Sequence, residues 1–512
     1  MEAFNETSII SIPSDPAKFS AYAMGLLSKI QELEDKVCLL EKKRFGPSSE
    51  KFVDPNQPSL FNEAEATSAE DDDDSEEEIT VESHTRKVKR KKKIDLSLVE
   101  DRQTTVHELD ESERACDCCG NAMHEIGEEK TEKLEVIPAK LSVQEDVYKK
   151  YACKIKQCNG KVKQAPVAPS AIPKIKATMG TLAFIAVQKY LYGTPLYRLE
   201  FLFSVLGVTL SRYVMSKWMI KLAFAFKPIY LTLEEKALES DYIHIDETSL
   251  QVLKEKGRKP TTKSFAWVRR SGDPNAPPIV LFHYSPTRSA TVAKELLSGF
   301  KGYLQTDDYI GYTCALGDND NIQQLLCWDH TRRYFKDAYD AIPKKNRGGG
   351  AAEQILKLIA KLYKTEKRAK DLSPSDRLKL RQEESVETIQ KIKSLCDSKL
   401  PTLSTKSLTT KAIKYTLDNI ELLQVYTTNP MLNISNCPAE QAIRPFVVGR
   451  KNWLFSCTPE GAEASMIIYS LIITAKANGL SPFEYLKNTL LKLPFVKTAD
   501  DLEKLLPLAK TS

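Results

Sequence analysis

The chain has 512 residues, 42% hydrophobic and 28% charged, with a formal net charge of +5. That length suits about three domains, with enough apolar residues for at least one large core, and the modest positive excess says little by itself about nucleic acid. The start MEAFNETSIISIPSD lacks a basic n-region and an apolar h-region, and apolar runs such as MIIYSLIIT from Met466 are far shorter than a membrane span, so secretion and a membrane partner are not expected.

The first predicted element is a helix within residues 18–51. Ala23, Ile30 and Val37 share one heptad position and Leu26, Leu33 and Leu40 the other, a pattern that suits a parallel two-stranded coiled coil. The run is under three full heptads, so a helix docked on its own chain is the alternative reading. Residues 52–103 form a charged linker, expected to be solvated and disordered. Glu70 to Glu78 is nearly all acidic, and Arg86 to Lys93 is nearly all basic. The basic run either touches DNA phosphates or folds back on the acidic one.

Residues 104–163 form a small module with strand-like alternation in KLEVIP and LSVQEDVYKKYAC. Eleven cysteines, two tight pairs among them, read as reduced thiols with a metal site and not as a disulfide framework. Cys116 and Cys119 form C-x-x-C, and Cys153 and Cys158 form C-x4-C. Two thiolate pairs suit a structural tetrahedral Zn²⁺, a clip that so small a module needs. The gap between the pairs is longer than in a usual zinc ribbon; Cys118 and His124 are spare donors.

Residues 174–235 are predicted helical with a break at Gly207. Arg212, Tyr213, Ser216 and Lys217 then fall on the second helix of a possible helix-turn-helix, with plain helix packing as the alternative. Residues 238–460 change character. Strand-like runs at YIHID, SFAWVRR, IVLFHY, GYLQTD and QLLCW, with helix-like runs SATVAKELLSGF and HTRRYFKDAYDAI, imply a mixed sheet with helices against it. From about 345 to 430 a helical period (Ala352, Ile355, Ile359, Leu362) marks an insertion, and residues 461–512 are a helical tail.

Three acids stand out by placement. Asp246 ends YIHID and points opposite to Ile243 and Ile245; Asp307 ends GYLQTD; Glu440 begins a helix after Asn436 and Pro438. Acids from three elements can converge on Mg²⁺ or Mn²⁺, and two such ions can hold the attacking and leaving oxygens of an in-line phosphoryl displacement. Taken singly, each acid also fits a turn former or a helix-dipole partner. Arg444, Arg450, Lys451 and Trp453 combine cations with an aromatic, which suits phosphate neutralisation and base stacking; Trp453 equally suits a core anchor between Val448 and Phe455.

The words HIDET, LQTDDYIGY, CWDHTRRYF, AEQAIRP, GRKNWLF and PEGAEASMIIYSLIITAKANGLSPFEYL, with RFGPSSEK behind the heptads, closely resemble the insertion-sequence-66 transposase family through nearly the whole chain. The resemblance implies a multidomain α/β protein. Its ribonuclease-H-like mixed sheet with a helical insertion would be preceded by a coiled-coil helix, a zinc-binding module and a helical domain. It implies a DDE enzyme whose triad is Asp246, Asp307 and Glu440, with Asp308 the neighbouring candidate where the family usually has Gly. His330 and Arg333 fall in its W-x-H-x-x-R word, a candidate contact to a scissile phosphate. It implies zinc in the cysteine module, where C-x4-C departs from the family's usual C-x-x-C and leaves Cys158 the weakest ligand. The expected activity is cleavage at the ends of a mobile element and strand transfer into target DNA. Terminal repeats and target DNA are the expected partners, with at least a homodimer and possible accessory transposition proteins, in the cytoplasm at the nucleoid. One phosphodiester replaces another, so no nucleotide is needed, and the chain has no G-x-x-x-x-G-K-[ST] loop.

Overall fold

The computed structural model describes residues 140–151, 162–317, 319–342 and 348–509, the backbone at 78–81 and 84–87, and residues 26, 29, 30, 33, 37, 104 and 121. Cys116, Cys119, Cys153 and Cys158, with Cys118 and His124, lie outside the described residues. Leu26, Lys29, Ile30, Leu33 and Val37 are helical, and the four apolar ones are about half exposed. Residues 46–144 form a unit of their own. Within it, Glu78–Val81 pairs antiparallel with His84–Lys87, which brings the end of the acidic run beside the start of the basic run.

The alternation in LSVQEDVYKKYAC does not make the strand expected of it. Residues 140–149 have no regular structure, and among the described residues of this segment only Lys150–Tyr151 pairs, with Lys163–Gln164. Val143 and Val147 are 94% and 74% exposed, and alternation specifies a strand only where one face is buried.

Three helices follow: α1 (Met179–Tyr190), α2 (Leu196–Val205) and α3 (Arg212–Leu238). Thr178 and Ser211 cap α1 and α3 by accepting backbone N–H bonds from Thr181 and Val214. Gly207 separates α2 from α3 at φ +85°, a conformation that glycine adopts without steric cost. Arg212, Tyr213, Ser216 and Lys217 are exposed on α3, while Met215 and Met219 face the core.

The central sheet has five strands: β1 (Tyr242–Gln251), β2 (Lys263–Ser271), β3 (Val280–Ser285), β4 (Gly302–Thr306) and β5 (Ile322–Leu326). Their spatial order is β3-β2-β1-β4-β5. The β1–β2 and β2–β3 pairs are antiparallel; β1–β4 and β4–β5 are parallel. A mixed α/β domain is therefore present, as the sequence predicts.

One face of the sheet carries α4 (Ala290–Leu296) and α5 (Ile310–Leu316) over Ile243, Ile245, Trp267 and Leu304. The other packs on α3, α12 (Cys437–Trp453) and α13 (Pro459–Ala477). The apolar run MIIYSLIIT lies in α13 and is buried all round, as a central core helix should be. Between β5 and α12 come α6 (Trp328–Ala341), α7 (Ala351–Ala369), α8 (Pro374–Leu380), α9 (Val386–Lys399), α10 (Leu408–Asp418) and α11 (Ile420–Gln424). Ala352, Ile355, Ile359 and Leu362 are buried in a separate core there. Arg381, 2% exposed, binds Glu366 and donates to the carbonyls of Tyr426, Asn429 and Leu432, tying this region to the loop before α12. After α13 come α14 (Pro482–Lys492) and α15 (Ala499–Glu503). Among the described residues no helix is long and apolar enough to cross a membrane.

Candidate active site

Strand β1 overruns its expected end. Asp246 lies mid-strand, because pairing with β2 continues from Asp246↔Val268 to Gln251↔Lys263. Pairing with β4 stops at His244↔Gln305, so Asp246 still sits at the mouth of the parallel half. Carried two residues further on each strand, that register sets Asp246 beside Asp307. This is the carboxyl end of the parallel strands, where open α/β sheets bind ligands.

Glu440 reaches the same mouth through its helix. Asn436 precedes α12 but makes no side-chain cap. Its Oδ1 instead lies 3.0 Å from His244 Nδ1, and its Nδ2 donates to the carbonyl of Ile245 at 2.9 Å. The loop is tied down further: Asn433 N–H donates to the Tyr242 hydroxyl at 3.1 Å, and Gln305 Nε2 donates to Asn433 O at 3.0 Å. Burial lowers the pKa of His244 to about 3, so the ring is neutral and its Nδ1–H can donate to Asn436. The start of α12 is thus fastened to the residue before Asp246, and Glu440 falls in the helix's first turn.

Electrostatics record the convergence. Burial raises the Asp246 carboxyl well above the usual carboxylate range, and the charges of Glu247, Asp307 and Glu440 raise it further. The backbone N–H of Glu247 opposes them by donating to Asp246 Oδ1 at 2.8 Å. Asp308 points elsewhere: it is exposed and accepts from Asn419 Nδ2 at 3.3 Å.

Sequence reasoning missed several neighbours. Glu247, adjacent to Asp246 in HIDET, accepts from the Tyr312 hydroxyl and pairs with Arg288. Arg288 also lies 3.6 Å from Asp307 and stacks on the Tyr309 ring at 3.7 Å. No local pattern flags Arg288; Glu247 was legible only as a second acid beside the first.

Of the other candidates, His330 joins the acids. It lies in the first turn of α6, within reach of Asp307's charge, and its own pKa is lowered by burial and by Arg333. Arg333 is exposed on α6. Arg444 is half-buried one turn beyond Glu440, and Lys451 is exposed. Arg450 donates to Thr248 Oγ1 at 3.0 Å and to the carbonyl of Ser249, so its cation is engaged with β1. Trp453 packs edge-on to Phe446 at 5.7 Å, with Lys189 Nζ 5.2 Å from its ring, the core-anchor placement.

The fold defines a mixed α/β protein in which Asp307 and Glu440 lie within reach of the charge of Asp246, while among the described residues the group of donor atoms that lie within 4.8 Å of one another is Cys327, His330 and Glu440. Residues 174–464 match the family described as "Transposase IS66 family", and residues 113–158 match "zinc-finger binding domain of transposase IS66". Residues 470–508 match "IS66 C-terminal element", and residues 32–99 match "Transposase C of IS166 homeodomain". Two proteins of Sinorhizobium fredii (strain NBRC 101917 / NGR234) are similar. "Uncharacterized protein y4qI" is 30% identical over 99% of this chain and 94% of its own length. "Uncharacterized protein y4jD" is 31% identical over 78% of each. The chain belongs to the IS66 transposase family, and with membership comes the role of a transposase, a DNA-processing enzyme with zinc-finger and leucine-zipper-type regions.

Proposed function

We propose that this transposase cleaves DNA at the ends of its insertion sequence and joins them to target DNA, using Asp246, Asp307 and Glu440 as catalytic carboxylates. The observation that carries this reading is Asp246 itself. Burial and the charges of Glu247, Asp307 and Glu440 disfavour its ionised form, which a bound divalent cation would stabilise. The strand order β3-β2-β1-β4-β5, three antiparallel strands followed by two parallel ones, supports a ribonuclease-H-like core.

Asp246, Asp307 and Glu440 would hold Mg²⁺ or Mn²⁺, two ions in this reading. Bound ions of this kind supply Lewis acidity to the attacking and leaving oxygens of phosphoryl transfer. The protein's part is positional. Asn436 and the β1–β4 register set the three carboxylates, and Arg288 balances the charge of Glu247 and Asp307. Arg333, Arg444 and Lys451 would neutralise DNA phosphates. Cys116, Cys119, Cys153 and Cys158, outside the described residues, would hold a structural Zn²⁺ in a module that would recognise the terminal repeats. The exposed seam Leu26, Ile30, Leu33 and Val37 fits a homodimer that pairs two ends, with accessory transposition proteins joining at the nucleoid.

The test is cleavage of element ends, and strand transfer of precut ends into plasmid DNA, by wild type and Asp246→Asn with Mg²⁺. Wild type should do both and the variant neither. Equal activity in the two proteins removes the assignment, and cleavage without joining makes the chain a nuclease.

A further inference from the structure

Beside the carboxylates lie two side chains that the cleavage chemistry leaves unused, Cys327 and His330, grouped with Glu440, which it uses. Cys327 precedes α6, His330 lies in the first turn of α6, and Glu440 lies in the first turn of α12. A thiol sulfur, an imidazole nitrogen and a carboxylate oxygen from these three residues lie within 4.8 Å of one another. Magnesium takes oxygen donors, whereas sulfur and nitrogen select borderline and soft cations of the zinc class. Tetrahedral zinc holds its donors about 3.5 Å apart, so side-chain closure by about 1 Å completes three of four positions.

Two further observations point to a ligand here. His330 Nδ1 is buried without a hydrogen-bond partner, a state that a folded protein seldom leaves unexplained. Cys327 is fully buried, and its sulfur accepts the backbone N–H of Asn436 at 3.1 Å. Such N–H···S bonds orient a metal thiolate from outside its coordination shell. The scaffold is firm: Trp328 donates from its backbone N–H to Ile434 O at 3.1 Å and from its ring Nε1 to Leu423 O at 2.8 Å.

We propose that Cys327, His330 and Glu440 bind one zinc-class divalent cation, and that this draws Glu440 away from Asp246 and Asp307 and suppresses Mg²⁺-dependent cleavage. Binding stands on the geometry alone; the suppression rests on the catalytic reading above. Ligation forms a sulfur–metal bond and breaks the S–H bond of Cys327, with its proton leaving to solvent. His330 supplies a ring-nitrogen lone pair and Glu440 a carboxylate oxygen, and nothing is oxidised or reduced.

The test uses the full chain with its cysteine module loaded with Zn²⁺ and free metal removed. Co²⁺ is titrated without DNA, and thiolate-to-cobalt charge-transfer absorption is recorded. Wild type should show a saturable band. The band should vanish in Cys327→Ser, persist in Cys457→Ser, and need at least about tenfold more Co²⁺ in His330→Gln. Circular dichroism checks that the buried Cys327→Ser variant folds; if it does not, His330→Gln decides. No band in wild type, or a band unchanged in both Cys327→Ser and His330→Gln, overturns the site. In a second arm Zn²⁺ is added to Mg²⁺-dependent cleavage. Inhibition should need at least about tenfold more Zn²⁺ in His330→Gln, relative to that variant's own rate. Equal sensitivity overturns the suppression, while loss of cleavage in every protein counts against the catalytic reading and leaves the absorption result intact.

Discussion

Both flanks of the sheet bury polar side chains, but the two sets have different partners. On the antiparallel flank, the edge strand β3 donates from Val280 N–H to Thr474 and from Phe282 N–H to Ser470, at 3.0 and 2.7 Å. The Tyr230 hydroxyl donates to Phe282 O at 3.0 Å. These bonds close an open edge, and Phe282, Phe446 and Tyr469 pack ring on ring around them. On the parallel flank, His244, Gln305 and Asn436 are buried, and their bonds end at the loop before α12. There the polar groups position a helix start that carries Glu440. A buried polar atom in this fold is therefore read by its partner: strand backbone at an edge means closure, and a loop leading to an acid means placement.

The sharpest break between the flanks is expected from a carboxylate. Asp307→Asn should cut end cleavage about a thousandfold, since losing a metal ligand removes several kcal/mol of transition-state stabilisation. Its melting temperature should hold. Cleavage close to wild type would move function off the parallel flank. The counterpart is Phe282→Ala, which should destabilise by about 3 kcal/mol through the cavity it leaves. Denaturant unfolding measures that loss, and the rate per folded molecule should stay unchanged. A slower rate at full stability would dissolve the distinction.

Asn436→Ala tests placement directly. It removes the partner of His244 Nδ1 and of the Ile245 carbonyl, at a cost of about 1–3 kcal/mol. If Asn436 positions Glu440, the Mg²⁺ concentration needed for half-maximal cleavage should also rise. An unchanged metal requirement with the same stability loss would make Asn436 merely structural.

The smallest effect is in pH. The Asp246 carboxyl is raised in the fold, chiefly by burial. Below the ordinary carboxylate range it is protonated in the folded and unfolded chain alike and costs nothing. As pH rises from that range to the raised value only the unfolded chain ionises, so stability falls, and above the raised value the full penalty stands, which a divalent cation offsets. Mg²⁺ should therefore leave the melting temperature nearly unchanged in acid and raise it by a few degrees at higher pH, from about 2.7 kcal/mol at a hundredfold excess over Kd. Asp246→Asn should flatten the gain, and a pH-independent gain in wild type would contradict the account.

Much of the sheet was legible because strand and helix periods are local. All five strand-like runs are strands or overlap them, and Ala352, Ile355, Ile359 and Leu362 face one core. Errors came where partners matter. YIHID continues to Gln251 because β2 is there to pair with it, and LSVQEDVYKKYAC largely fails because Val143 and Val147 have nothing to bury against. Arg288 and the contacts of Asn436 and Cys327 escaped notice for a related reason. Asn436 meets Ile245 across 191 residues, and no short-range pattern encodes such a contact.

The linear chain determined which elements form, through the spacing of apolar residues, and it carried the motif words that mark its family. Tertiary structure decided which side chains meet. The β1–β4 register set Asp246 beside Asp307, Asn436 fastened the helix bearing Glu440, and Arg450 and Trp453 turned inward, whereas their sequence context left them open as DNA contacts. Strand register and helix docking are contacts between distant segments, and their energies depend on surfaces that exist only once the chain has folded.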